Sequence, residues 1–482
     1  MRWRYILKTV GILSVVLGLT MLFPLVWGLI AGDGSVAPLV KSIFITLGVG
    51  IGLILLFRCP RSEYISQQEG VAIVAIGWAA AGLLGAMPFY FSEHFSTVAD
   101  AVFESVSGFT TTGASVLTDI EAVPAGLLLW RSFIQWLGGM GIIVLSVAIL
   151  PFLGVGGMQL YKAEVPSPVP DKLKPRIRET AMSLWRVYAL LTLAQTALLL
   201  FGGMDLFDSL CHTFTTLPTG GFSTKNTSVA HFDSLYIDSV IIFFMFMAGI
   251  NFSLHFQLFK GRPLALWRDS ECRFYVAAVL ILSTIVTVNI YGETYANLGR
   301  AIRDGTFQVV SILTTTGFAT ADYETWPAMS QAILFLCMFL GASAGSTGGG
   351  MKCLRIMLYF KFCYNELFAL IHPRSVRRVK IAGRTIPPDI MRSVIGFLGL
   401  YTGLFALCAV LLASMGVDFV TSFTAIAAAI GNIGPGFGTV GPVENYAHLP
   451  QLGKWLLVWC MLLGRLEIYT VIIFLVPEFW RK

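Results

Sequence analysis

Along this chain, long stretches in which nearly every position is apolar alternate with short polar connections. Such runs lie near residues 5–30, 38–58, 70–91, 127–153, 182–203, 235–260, 272–292, 331–362, 391–415 and 452–476. Each reaches roughly 20 residues or more, the length a helix needs to cross a hydrocarbon core about 30 Å thick. The pattern predicts ten membrane-spanning helices. The first stretch, Val10 to Ile30, resembles a signal-peptide core. No small-residue cleavage site follows it and a second apolar run comes directly after, so it reads as a retained helix.

A shorter pattern recurs between paired spans. AVFESVSGFTTTGAS (101–115), SLCHTFTTLPTGGFS (209–223), DGTFQVVSILTTTGFAT (304–320) and FVTSFTAIAAAIGNIGPGFG (419–438) are semi-apolar segments that close on a Gly-containing turn. Aligned, they bring Gly113, Gly221, Gly317 and Gly434 into register, at spacings of 108, 96 and 117 residues. An Asp stands 13 residues before the glycine in three copies (Asp100, Asp208, Asp304); in the fourth, Asp418 stands 16 before, which reads as a small insertion. Segments of about 10–14 residues are too short to span and suit a re-entrant helix. The spacing fits four span–re-entrant helix–span units.

Composition narrows the class. The 482 residues are 56% hydrophobic and 12% charged, with a mean hydropathy of +0.76, whereas soluble proteins carry roughly 25% charged residues. An ordinary water-soluble enzyme is excluded. The eight cysteines form no CxxC, and His94, His212, His231, His255, His372 and His448 show no ligand spacing. Neither a disulfide framework nor a metal site is suggested.

Charge sets the orientation. Ten spans put both termini on one side, and the positive-inside rule makes that side cytoplasmic. Lys162, Lys172, Lys174, Arg176 and Arg178 then share one inner loop, and Arg374, Arg377, Arg378, Lys380 and Arg384 another. Only Lys41, Arg131, Lys225, Arg300, Arg303 and Lys454 fall outside, and Arg465 lies within a span. Acids lean outward, among them Asp100, Glu104, Asp208, Asp304 and Asp418, which predicts an acidic outer vestibule that concentrates cations. All four units share one orientation, unlike the alternating halves of inverted-repeat transporters. The architecture read from the residues is all-α and polytopic, with parallel repeats around a central axis.

The glycine turn gives the unit a purpose. Non-helical backbone at membrane depth is tolerated only where it lines a polar cavity. A short helix ending there aims free carbonyls and its negative dipole end at that cavity. Glycine permits the backbone angles that turn carbonyls inward and lets four loops approach closely. Four such loops form a ring of oxygens able to replace a cation's hydration shell.

FESVSGFTTTGA, WLGGMGIIVLSVAILP, GGMQLY, GGFST, TTTGFAT, AGSTGGGMK, NIGPG and the terminal GRLEIYT…FWR carry a family resemblance over essentially the whole length. The chain resembles bacterial TrkH-type potassium uptake subunits of the TrkH/KtrB/HKT superfamily. That resemblance implies four M1–P–M2 repeats around one pore: residues 66–160, 180–262, 270–362 (with a broken second helix) and 390–478, preceded by two extra helices in 1–60. It implies a K+ filter built by Thr111, Thr112 and Gly113; Thr219, Gly220 and Gly221; Thr315, Thr316 and Gly317; and Asn432, Ile433 and Gly434. In plant relatives a Ser at the first glycine goes with Na+ permeation, and all four positions here are Gly. It further implies a homodimer in the bacterial inner membrane, resting on a cytoplasmic ring of nucleotide-binding TrkA-like subunits. No cofactor is expected in this chain, and no nucleic acid as partner; the nucleotide belongs to the ring. One departure stands out: the second loop reads LPTGGF, with Pro218 where a more apolar run belongs.

Two further features bear on gating. Arg465 aligns with Met140, Ile250 and Ser343 in the other second helices, and an intramembrane Arg usually faces a bundle interior or aqueous cavity. Its bland role is a salt bridge to Glu467; the resemblance implies a positive charge just below the filter that tunes conduction. The run GASAGSTGGGMK (341–352) interrupts the third unit's second helix, and each Gly destabilises a helix by about 1 kcal/mol relative to Ala. Close helix packing is the bland reading. The resemblance implies a gate loop containing Gly345, Ser346, Thr347, Gly348, Gly349 and Gly350, with Lys352 near the cytoplasmic mouth. Gly341–Gly345 formally spells G-x-S-x-G, but it lies in an apolar span without strand context or catalytic partners. The chain is not expected to be an enzyme. The competing readings are a sodium-permeable protein or a cation-coupled secondary transporter.

Overall fold

The computed structural model describes residues 1–59, 66–148, 173–375, 377–381 and 384–480. The end of the fourth expected span and most of the basic 154–181 loop, with Lys162 and Lys172, lie outside the described residues. So do Arg481, Lys482 and the side chains of Lys174, Arg176, Arg178 and Arg384.

Among the described residues, six helical stretches are long and apolar enough to cross a membrane: Trp3–Ala31, Val36–Leu56, Gln68–Tyr90, Glu179–Phe201, Ser270–Ile290 and Pro388–Ser414. The first two lie against each other so tightly that a Cβ on Gly11 would stand 2.9 Å from the Gly50 carbonyl, and one on Gly50 would stand 2.8 Å from that of Gly11. Small residues permit this approach where no hydrophobic force separates helix from lipid. Pro388 opens its helix at the first turn, where its missing N–H has no intrahelical partner to lose.

Three expected spans are broken. The 235–260 run is two helices, Leu235–Ala248 and Phe252–Phe259, bent by 102°. The break falls at Gly249-Ile250-Asn251, where Asn251 Oδ1 caps the second helix by accepting from the Ser253 N–H at 2.9 Å. The 331–362 run divides into Ala328–Leu340 and Cys353–Ile371, as its glycines predicted. The 452–476 run ends its helix at Arg465, and Glu467 and Ile468 then take φ of 59° and 33°. Hydropathy counts apolar residues and is blind to these interruptions. Ala125–Ala148 is continuous.

Between the long helices stand four short ones: Val98–Phe109, Leu206–Thr216, Leu298–Leu313 and Phe419–Gly431. Thr97, Asp205, Asn297 and Asp418 cap their N-termini by accepting backbone N–H groups, the usual role of such residues. Asp418 is therefore the counterpart of Thr97 and Asp205. No residue is inserted in the fourth segment, and Thr421 stands where the other three carry Asp100, Asp208 and Asp304. The short helices are buried on nearly every face, and the core follows them. One cluster joins Phe103, Trp130, Ala425 and Met461; another joins Phe307, Val310, Tyr275 and Met338. Near the second basic segment, Lys380–Ile381 and Arg384–Thr385 pair as a two-stranded antiparallel ladder.

Candidate functional site

The four short helices end in one backbone design. Thr111, Thr219, Thr315 and Asn432 have φ of 52°, 56°, 62° and 54°. Two residues on, Gly113, Gly221, Gly317 and Gly434 have φ of 84°, 75°, 80° and 106°, while the residues between keep negative φ. Alternation of hand is the backbone pattern by which successive peptide planes can turn their carbonyls to one side. Each loop is tied back identically: the N–H groups of Thr112, Gly220, Thr316 and Ile433 donate to Ser107, Thr215, Ser311 and Ala428 carbonyls at 2.8–2.9 Å. Pro218 leaves that bond intact in the second loop, and it packs on the Ala125–Ala148 helix, where a Cβ on Gly139 would lie 2.8 Å from its Cα.

The loops meet in a closed ring. A Cβ on Gly113 would strike the Gly220 carbonyl, one on Gly221 the Thr316 carbonyl, and one on Gly317 the Ile433 carbonyl. One on Gly434 would stand 2.8 Å from the Thr112 carbonyl, which completes the circuit. Every aligned glycine is thus needed twice, for its positive φ and for the neighbour's carbonyl in the space of a side chain. Further bonds seal the fourth loop to the first. Asn432 Nδ2 donates to Thr112 Oγ1 at 3.0 Å, the Tyr446 N–H to the Ser115 carbonyl at 2.8 Å, and Lys454 Nζ to Asp100 Oδ1 at 2.6 Å.

That last contact revises the expected outer vestibule. Asp100, Glu104 and Asp208 are buried and paired, with Lys454 (2.6 Å), Arg131 (2.6 Å) and Lys225 (3.3 Å) respectively. Asp304 is buried beside Arg300 at 3.6 Å. These acids brace the loops and are not free to gather cations. Hydropathy treats a short acid-bearing segment as solvent-facing, whereas the structure seals it under the outer loops. Glu324, in the connection after the third loop, accepts the Gly438 N–H, while burial raises its carboxyl from the ordinary value.

Beneath the ring, residues 341–352 form a loop pinned to three of the short-helix ends. Thr347 Oγ1 donates to the Leu217 carbonyl at 2.9 Å. The Gly349 N–H donates to Thr315 Oγ1 at 2.6 Å, and that of Gly350 to the Gly431 carbonyl at 3.0 Å. Side chains at Gly348 or Gly349 would run against the Thr314 or Gly431 carbonyl. The Gly345 carbonyl accepts the Phe252 N–H at 3.1 Å, and Ser346 Oγ closes a turn on Ser343 at 2.6 Å. Lys352 is not at an open mouth: it is buried and its Nζ turns back to the Gly348 carbonyl.

Arg465 meets this loop directly. Its Nη1 donates to the Thr347 carbonyl at 2.7 Å and its Nη2 to the Gly138 carbonyl at 3.3 Å. The bland alternative, a bridge to Glu467, does not form: Glu467 pairs with Arg355. Three polar residues that the sequence reading gave no role in the site join it: Glu271, Gln135 and Arg131. Glu271 Oε1 accepts the N–H groups of Ala344 (2.6 Å) and Leu354 (3.1 Å), one at each end of the loop. Gln135 and Arg131 reach the second loop, bonding Gly220 and Ser223 carbonyls at 2.8 Å each. The signal available for Arg131 and Gln135 was a polar pair four residues apart on one helix face of the 127–153 run; Glu271, amid Arg268, Asp269 and Arg273, gave none.

A bundle of apolar helices enclosing four half-length helices whose loops close on one another defines a multi-pass membrane transport protein. The TrkH family, described as cation transport protein, matches residues 39–482, and the chain belongs to it. It is 42% identical to "Trk system potassium uptake protein TrkH" of Salmonella typhimurium over 490 residues, with 100% of both chains covered. "Trk system potassium uptake protein TrkG" of Escherichia coli is 35% identical, with 99% of each covered. The crystal structure of the potassium transporter TrkH from Vibrio parahaemolyticus superposes with a TM-score of 0.92 at 37% identity, covering 100% of both chains. Its relatives are transport proteins, and this chain is a transporter and not an enzyme.

Proposed function

We propose that this protein takes up K+ across the bacterial inner membrane through one filter made by the four loops. The closed circuit of aligned glycines against the carbonyls of Gly220, Thr316, Ile433 and Thr112 supports this most directly, because a ring of backbone oxygens can replace a cation's hydration shell. Potassium is named in the relatives described above. In this reading Thr111–Gly113, Thr219–Gly221, Thr315–Gly317 and Asn432–Gly434 are the ion ligands. The units are four parallel M1–P–M2 repeats at 66–160, 180–262, 270–362 and 390–478, after two extra helices in 1–60, with both termini cytoplasmic.

Gating falls to the Gly345–Gly350 loop with Lys352, under a brake set by Arg465. The bonds from that loop to Leu217, Thr315 and Gly431 favour this role over mere helix packing. The working assembly is a homodimer on a cytoplasmic TrkA-like ring that carries the nucleotide. Expression in a K+-uptake-deficient bacterium tests the reading. Growth on low K+ together with a matching ring subunit is expected. No growth, or growth limitation by Na+ entry, supports the sodium-permeable or cation-coupled alternative.

A further inference from the structure

The second loop lacks what holds the first and third. Thr110 and Thr112 bond through their hydroxyls at 2.8 Å, and so do Thr314 and Thr316. The same positions of the second loop are Pro218 and Gly220, with no hydroxyl to offer. The space is not empty. A Cβ on Gly220 would collide with Cδ and Oε1 of Gln135, a fully buried residue on the Ala125–Ala148 helix. Its Nε2 donates to the Gly220 carbonyl at 2.8 Å, and its Oε1 accepts the Phe222 N–H at 3.2 Å. The carboxamide therefore brackets Gly221 from both sides. The helix that carries it lies hard against the first and second loops, since Cβ atoms on Gly138 and Gly139 would strike Phe109 and Pro218.

We propose that Gln135 is a positioning residue of the filter: it stands in for the side chain absent at Gly220 and weakens that one ring carbonyl as an ion ligand. This rests on the four-loop filter reading. A carbonyl oxygen has two lone pairs; the Gln135 N–H takes one and draws electron density from the other. Among the described residues, the carbonyls of Thr112, Thr316 and Ile433 accept no such bond. The ring is then chemically uneven, with Gln135 setting the difference, and Pro218-Thr219-Gly220 is a matched replacement for the Thr-Thr-Thr of the first and third loops.

The test is a double-mutant cycle in proteoliposomes, with K+ and Na+ flux and thermal unfolding in detergent read on the same preparations. Gly220→Thr alone is expected to lower K+ flux and stability, since the new side chain meets Gln135. Adding Gln135→Ala should restore K+ flux by about tenfold over Gly220→Thr, a coupling of roughly 1.4 kcal/mol. Gln135→Leu, which fills the space without donating, should change the K+/Na+ flux ratio several-fold. A double variant no better than Gly220→Thr in flux and unfolding, or a Gln135→Leu ratio equal to wild type, overturns the proposal. Failure of the filter reading looks different: wild type then passes no K+, while the unfolding cycle still reports whether residues 135 and 220 share one space.

Discussion

At the scale of single residues, the glycines carry the most testable chemistry. A side chain at Gly113 must displace the Gly220 carbonyl at a positive φ of 84°. Gly113→Ser is expected to lower K+/Na+ discrimination by about tenfold, roughly 1.4 kcal/mol, in flux assays; unchanged discrimination at normal expression would remove Gly113 from the filter. Arg465 makes a second case. Its guanidinium holds the loop at Thr347 and places positive charge below the ring, so Arg465→Ala should raise cation flux several-fold. Flux equal to wild type would reduce it to a tether between Thr347 and Gly138. The glycines were legible because four imperfect copies in one chain align themselves. Arg465 was legible as an oddity, but its carbonyl partners were not; the one partner that sequence proximity offered as an alternative, Glu467, is taken by Arg355, 112 positions away. Gln135 gave no repeat signal, since its counterparts in the other second helices, Met245, Met338 and Cys460, are apolar.

Among the elements, the long helices were readable from hydropathy and their breaks only in part. The 341–352 interruption declares itself through glycines, whereas the 102° bend after Ala248 turns on one Gly and one capping Asn inside an apolar run. Asp418 misled for a related reason. A cap and a first-turn acid are the same residue type three positions apart, and only the observed helix start separates them. The 341–352 loop invites a deletion. Removing two residues from Gly345–Gly350 should raise flux if the segment blocks the path, while the K+/Na+ ratio stays near wild type. Glu271→Ala releases both ends of the loop without shortening it and should act in the same direction. If flux in both well-expressed variants matches wild type, the loop serves helix packing alone.

At the scale of the whole molecule, a circle of four segments from one chain must be closed by contacts between its beginning and its end. The Lys454–Asp100 pair spans 354 positions and is buried on both sides, with side-chain exposures of 6% and 11%. Breaking a buried pair leaves one charge uncompensated and costs about 3–5 kcal/mol. Lys454→Met is therefore expected to lower the unfolding temperature in detergent sharply, and adding Asp100→Asn to recover much of the loss. A single variant as stable as wild type would mean that other contacts close the circle.

The basic segment after Ile371 makes the last case. Arg374 and Arg378 are exposed, and Arg377 lies over the rings of Tyr364 and Phe368 at 5.3 and 4.8 Å, so the basic cluster is anchored to the Cys353–Ile371 helix. That helix begins directly after the 341–352 loop, so a partner bound there would have a mechanical route to the loop proposed as the gate. Anionic lipid is the competing occupant, at about 1 kcal/mol per basic residue near the surface. Neutralising Arg374, Arg377 and Arg378 together should weaken co-purification with a TrkA-like ring and uncouple flux from nucleotide. A triple variant that binds the ring and responds like wild type, yet loses affinity for anionic vesicles, would assign the cluster to lipid.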